Sequence, residues 1–223
     1  MPACRDCLHF SAEAGDCTLN VKGRCALRNC VFAVQQKYRP VMRGRVLEVG
    51  YGAWPFPRRR LQRDRRRRVQ WHGVDPRFPT IAAAGRYQGT VAHLPFEPDY
   101  FDVGLAFETM EHWTEYLETP RQGLAELHRV LKPGALLVVT VPIHLHGAPE
   151  FVRGDVATIL DYFEPHRWRE LRAEPWRRDF APCAPCLNWL MDGSRETRRQ
   201  VVDASAQRVP SSWTLEITAR KAA

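Results

Sequence analysis

The 223-residue sequence contains no apolar run approaching the roughly 18 residues that a membrane-spanning helix requires. Its first residues, Met1-Pro2-Ala3-Cys4-Arg5-Asp6-Cys7, lack the apolar core of a secretion signal. No internal repeat is visible, which excludes solenoid architectures. These absences favour a cytoplasmic protein with no membrane contact. In that compartment, seven cysteines are better explained as metal ligands or free thiols than as disulfides. The first 38 residues also have few large apolar side chains, too few to build a core unaided. One α/β domain over residues 41–223, preceded by a small module over residues 1–38, suits the length.

The formal net charge of +8 is concentrated rather than general. Residues 58–68 hold eight arginines against one aspartate, and without them the chain is nearly neutral. Such a stripe is either a solvated helix face or a footprint for RNA or another polyanion, Arg58–Arg68 being the candidate contact.

The small module carries Cys4-x2-Cys7-x9-Cys17-x7-Cys25-x4-Cys30. A Cys-x2-Cys pair with further cysteines in a core-poor segment points to a closed tetrahedral zinc site, whose metal would supply folding energy. An iron–sulfur cluster uses the same thiolates. Five cysteines exceed the four needed, so Cys25 or Cys30 is spare. A second pair, Cys183-x2-Cys186, sits in a proline-stiffened loop and fits an inert, redox or metal role.

Beyond residue 41, apolar runs at Val46–Val49, Val69–Val74, Phe101–Phe107 and Leu136–Val141 alternate with helix-like segments, which predicts βαβ units and a parallel sheet. Trp213–Thr218 reads as a terminal edge strand. One helix is well marked. Thr119 caps it, Pro120 and Gln122 complete a capping box, and Leu124, Leu127 and Leu131 give one buried face. It should stop in a turn at Lys132-Pro133-Gly134.

The first strand ends in Glu48-Val49-Gly50-Tyr51-Gly52. Two glycines spaced by one let main chain approach a ligand closely, with an acid in the same crevice. The third glycine of a dinucleotide fingerprint would fall at position 55, which is Pro55. Downstream come Leu94-Pro95-Phe96, Tyr100-Phe101-Asp102-Val103, Glu111-His112 and Glu126-Leu127-His128-Arg129-Val130-Leu131-Lys132-Pro133-Gly134.

This ordered set strongly resembles the class I S-adenosylmethionine-dependent methyltransferases, over about residues 45–141, and most closely the group acting on small molecules. The resemblance implies a doubly wound, mostly parallel seven-stranded sheet with an antiparallel edge strand, plus the small Cys-rich metal module. It also implies S-adenosylmethionine as cofactor, with Glu48, Gly50 and Gly52 around its methionine part and Asp75 at its ribose hydroxyls. Thr90 and Val91 stand where the family usually has an acid near the adenine amine. Ala53-Trp54-Pro55 is bulkier than the residues usual after the glycines. The cofactor is a sulfonium cation without phosphate, so carboxylates suit it, and Tyr51, Trp54 and Phe107 are candidate aromatic faces for the cation.

His144 and His146 follow a strand's carboxyl end, where open α/β sheets bind ligands. If the strand's alternation continues, both imidazoles point the same way, as a base or metal pair would; two loop histidines bonded to main chain are the alternative. Glu111 and His112 are expected at the pocket wall. Phe163–Arg169 and Glu174–Arg178, aromatic and basic, suit a substrate lid or helices covering the sheet. A small-molecule methyltransferase is thus the expectation. An RNA methyltransferase using the arginine stripe and metal module, and an inert docking module keeping the fold, are the rivals.

Overall fold

The computed structural model describes residues 37–52, 69–144, 147–177 and 213–223, together with Val34 and a two-residue ladder pairing Phe10 with Cys17 and Ser11 with Asp16. Seven strands form one sheet: β1 (Arg45–Val49), β2 (Gln70–Val74), β3 (Arg86–Tyr87), β4 (Phe101–Phe107), β5 (Leu131–Ile143), β6 (Trp168–Arg177) and β7 (Trp213–Lys221). Their spatial order is β3-β2-β1-β4-β5-β7-β6. The first five run parallel to one another, and β7 runs antiparallel to both β5 and β6. The doubly wound sheet expected from the sequence is present. Its order reverses between β1 and β4, which opens a crevice beyond their carboxyl ends.

Both faces of the central strands are apolar, as a covered parallel sheet requires. Leu47, Val49, Leu137 and Val139 pack against helix α1 (Pro120–Val130) through Leu124, Leu127 and Val130. On the other face, Val46, Val103, Leu105 and Val138 pack against Val34 and Met42. Val34 is fully buried there, so the sheet domain begins upstream of the residue 38 boundary expected from composition. The capping box of α1 is formed as expected: the Gln122 N–H donates to Thr119 Oγ1 at 3.2 Å, and the Thr119 N–H donates to Gln122 Oε1 at 2.8 Å.

Three expectations are corrected. The helix ends at Val130, and Lys132-Pro133-Gly134 is an irregularity inside β5 rather than a free turn. Leu131 pairs with Phe101 and Leu136 with Val103, so the extra residues bulge out between two paired positions. The stretch around Trp168–Arg177 is neither lid nor helix but strand β6, and it is the true edge of the sheet. Charged side chains and Pro175 suit it to that exposed place.

β7 lies one place inside, so Trp213–Thr218 is not an edge strand. The consequence falls on Glu216. A polar residue of an alternating strand normally faces water, yet Glu216 is 2% exposed because Lys37 and Tyr38 fold over it. Its carboxylate accepts from Lys37 Nζ at 2.8 Å, from Trp176 Nε1 at 2.7 Å and from the Tyr38 hydroxyl. Buried acids persist only when paired in this way. Glu216 therefore ties the segment before β1 to the last two strands. Glu216→Ala should lower unfolding free energy by about 1–3 kcal/mol in urea titration, because three donors lose their acceptor.

Candidate functional site at the carboxyl ends of the strands

The β1–loop junction reverses at Gly50, whose φ is +66°, and at Gly52, whose φ is +60°. L side chains rarely adopt this conformation. A Cβ at Gly50 would also collide with the Thr109 side chain, which comes from the loop after β4. The Gly50 N–H donates to the Val74 carbonyl at 2.8 Å, locking the first glycine to the end of β2. The two strand ends flanking the crevice are thus joined through main chain.

Asp75 follows β2 and is fully buried. Its Oδ2 accepts from the Gly52 N–H at 2.9 Å, and its Oδ1 from the Arg77 N–H at 2.9 Å. The Arg77 guanidinium adds Nε at 3.2 Å and Nη2 at 3.3 Å. The expected ribose acid thus stands between the glycine loop and the turn after β2. The nearby Gly89–Thr90 turn passes over β2, a Cβ at Gly89 coming within 3.4 Å of Val74 Cγ1. Thr90 is half-buried beside it. Val91 is different: it is 2% exposed and packs where α1 and Trp113 meet at Gly123, so its side chain is core rather than contact surface.

Glu48 is 3% exposed and accepts from Trp71 Nε1 at 2.8 Å. Glu48 pairs in register with Gly73, and the Trp71 ring lies across Gly73, where a Cβ would collide with it. That glycine is what allows the indole to reach the acid. Burial pushes the Glu48 carboxyl up to about 8; the Trp71 hydrogen bond opposes this and the Asp75 charge adds to it. A neutral acid at pH 7 differs from the fixed negative charge expected from the sequence. The reason is that one indole donor does not replace the water lost on burial.

The aromatic residues are also more enclosed than expected. Tyr51 is 4% exposed, edge-on to Trp71 and stacked on Phe78, each at 5.5 Å. Phe107 is 8% exposed and packs with Val103 and Leu105. Both rings are therefore packed inside the protein. Trp54 and Arg58–Arg68 lie outside the described residues.

The same edge carries the segment after β4, a 3-10 turn over Met110–Tyr116. His112 Nδ1 lies 2.6 Å from Glu115 Oε1, and its Nε2 lies 3.8 Å from Glu111 Oε1. Burial opposes the charging of His112, but Glu115, Glu111 and Glu108 outweigh it and raise its pKa. Glu111 is fully buried, and its carbonyl accepts from the Ala148 N–H at 3.1 Å. These residues form the expected wall.

His144 does not continue the alternation of β5. The strand ends at Ile143, and His144 has a φ of +58°, so the argument that placed two imidazoles on one face fails. Its Nδ1 lies 3.1 Å from the Val152 carbonyl, and its ring packs on Gly154, just beyond helix α2 (Pro149–Arg153). His146 lies outside the described residues. So do Cys4, Cys7, Cys25, Cys30, Cys183 and Cys186, while Cys17 is described only as backbone in the two-residue ladder. Among the described residues, no three His, Cys, Asp or Glu side chains are grouped to hold a metal. Among them too, no helix is long and apolar enough to cross a membrane. A concavity of about 430 Å³ bordered by Lys37, Tyr38, Arg172 and Glu216 lies on the β5–β7–β6 part of the sheet and contains none of the candidate residues.

A buried acid at the end of β2, a glycine loop tied to it, and an acid in β1 thus stand together at the carboxyl edge of the sheet. Residues 47–139 match the family model described as a methyltransferase domain. These residues thus match a methyltransferase domain, set in a sheet of the class I methyltransferase fold. No curated protein matches the sequence. Among solved structures, the domain resembles phosphoethanolamine N-methyltransferase 2 of Haemonchus contortus bound to phosphomonomethylethanolamine and S-adenosylhomocysteine. The TM-score is 0.55 at 16% identity, covering 87% of this chain and 53% of that one. The chain thus spans about half the length of that enzyme. It also resembles a SAM-dependent methyltransferase from Archaeoglobus fulgidus (TM-score 0.52, 17% identity, 87% and 94% covered). A third likeness is the [4+2]-cyclase SpnF (0.55, 20%, 87% and 81%).

The methyltransferase domain should show the titration of Glu48 in its stability. A carboxyl raised from its ordinary 4.5 to about 8 contributes stability that is full below pH 4.5 and lost as pH rises through 8. Melting temperatures from pH 5 to 9 should therefore fall more steeply for the wild type than for Glu48→Gln. Parallel slopes would refute the buried, neutral acid.

Proposed function

We propose that the protein transfers a methyl group from S-adenosylmethionine to a small-molecule acceptor. The observation that carries this is the fully buried Asp75 carboxylate, held at the carboxyl end of β2 beside two positive-φ glycines. This donor and acceptor set fits a ribose diol. Asp75 would hold the ribose hydroxyls, Gly50 and Gly52 would let main chain approach the methionine part, and Glu48 would lie beneath it. The bound cofactor supplies an activated methyl on a sulfonium.

The residues of this chain then contribute position, charge and dryness. In-line displacement gains most from holding the nucleophile against the methyl. Tyr51, Trp71 and Phe107 keep water from the floor of the crevice. A nearby cation would also favour ionisation of Glu48, whose burial otherwise keeps it neutral. An oxygen or nitrogen acceptor must also lose a proton. His112, oriented by Glu115 at the wall, is better placed for this than His144, whose ring is committed to the α2 turn. With its pKa raised by Glu115, Glu111 and Glu108, His112 is a stronger base than an ordinary imidazole. A small acceptor is supported by the likeness to an enzyme crystallised with phosphomonomethylethanolamine.

Calorimetry with S-adenosylhomocysteine tests the cofactor site. The wild type should bind it, and Asp75→Ala should weaken binding on the order of 100-fold, the value of two hydrogen bonds to a charged group. No binding by the wild type, or no effect of Asp75→Ala, would overturn the assignment. For the N-terminal module, the proposal is a zinc or iron–sulfur site drawn from Cys4, Cys7, Cys17, Cys25 and Cys30. Anaerobically purified protein should carry one equivalent of zinc, or bound iron with visible absorbance. Metal-free protein of unchanged stability would exclude both.

A further inference from the structure

The Asp75 carboxylate offers about four acceptor directions. Among the described residues, four N–H donors point at it: the main-chain groups of Gly52 and Arg77, and Nε and Nη2 of the Arg77 guanidinium. The two main-chain donors are fixed by their loops. The guanidinium is not fixed, since the Arg77 side chain is 50% exposed and Asp75 is fully buried.

A ribose also brings two donors, the O–H groups of neighbouring carbons, to the same edge of a carboxylate. The planar fork of an arginine and a vicinal diol therefore make equivalent demands on Asp75. Both cannot be met at once. Arg77 has somewhere to go: Glu115 and the Tyr116 hydroxyl already lie within its electrostatic reach, and its guanidinium sits 5.6 Å from the centre of the Phe78 ring.

Resting on the S-adenosylmethionine reading, we propose that Arg77 is a built-in competitor of the cofactor ribose, holding the acceptor positions of Asp75 that the diol must take. Cofactor and product affinity are then set by the difference between the diol and the guanidinium, and not by the diol alone. The competitor keeps Asp75 supplied with donors when the nucleoside departs. It also weakens retention of the product, S-adenosylhomocysteine, whose ribose is identical to that of the substrate.

Calorimetry on the full chain separates this from a structural role. Arg77→Met keeps an unbranched stem against Phe78 and removes the fork. It should bind S-adenosylhomocysteine about fivefold more tightly than the wild type, the worth of a half-exposed ion pair. Arg77→Lys, with a single point of donation, should fall between the two and serves if the methionine variant does not fold. The 2′-deoxy analogue of S-adenosylhomocysteine needs only one acceptor position, so its gain on Arg77→Met should be smaller. Equal or weaker binding of S-adenosylhomocysteine by both variants, at unchanged melting temperature, would overturn the competition. If neither the wild type nor the variants bind S-adenosylhomocysteine, the cofactor reading itself fails and this inference goes with it.

Discussion

A carboxylate removed from water must be given donors, and the site is organised around meeting that demand at Asp75. The chain before the second strand contributes the Gly52 N–H, and the chain after it contributes the Arg77 N–H. Those two bonds fix the glycine loop against the β2 turn. Gly50 must then reverse tightly enough to donate to Val74 and leave room for Thr109 from the loop after β4. The ends of β1, β2 and β4 are consequently held as one unit. The sheet topology creates the crevice, but the buried acid shapes its mouth.

Glu48 shows the opposite treatment of the same chemical group. It lies on the neighbouring strand with a single donor, the Trp71 indole, and is driven toward its neutral form. The indole reaches it only because Gly73, directly opposite in register, has no side chain. One acid is kept supplied with N–H groups, ready to exchange some of them for hydroxyls. The other is kept short of donors, and the approach of a cation would stabilise its charge. The proposed cofactor, a nucleoside carrying a positive sulfur, would use both conditions.

The parts of this arrangement visible in the sequence are those set by local chemistry. The four apolar runs of the parallel strands, the Thr119–Gln122 capping box and the Gly50-x-Gly52 reversal depend on near neighbours, and each forms as the residues suggest. What stayed hidden depends on distant neighbours. Nothing in Trp213–Thr218 reveals that the strand inserts one place inside the edge, so Glu216 reads as a solvent-facing residue until Lys37 and Tyr38 are seen to cover it. His144 was projected by alternation from β5, which fails once the backbone turns left-handed at that residue. The Trp71–Glu48 bond was detectable in principle. A tryptophan two residues before a glycine in a buried strand signals a ring folded over a missing side chain. Arg77, two residues beyond Asp75, carried a similar signal, because a cation that close to a buried acid tends to compensate it.

The likeness of one sheet to both methyltransferases and a [4+2]-cyclase means that the scaffold does not dictate the reaction. What narrows the chemistry here is the distribution of charge along the carboxyl edge. On the β1–β2 side stand two buried acids, Glu48 and Asp75. On the β4–β5 side, His112 sits among Glu108, Glu111 and Glu115, and the Gly147–Gly154 turn packs against that wall through the Ala148–Glu111 bond. A reaction that only folds a substrate upon itself requires no proton acceptor. A histidine held 2.6 Å from a carboxylate at the rim is useful when the incoming nucleophile must shed a proton to receive a methyl group.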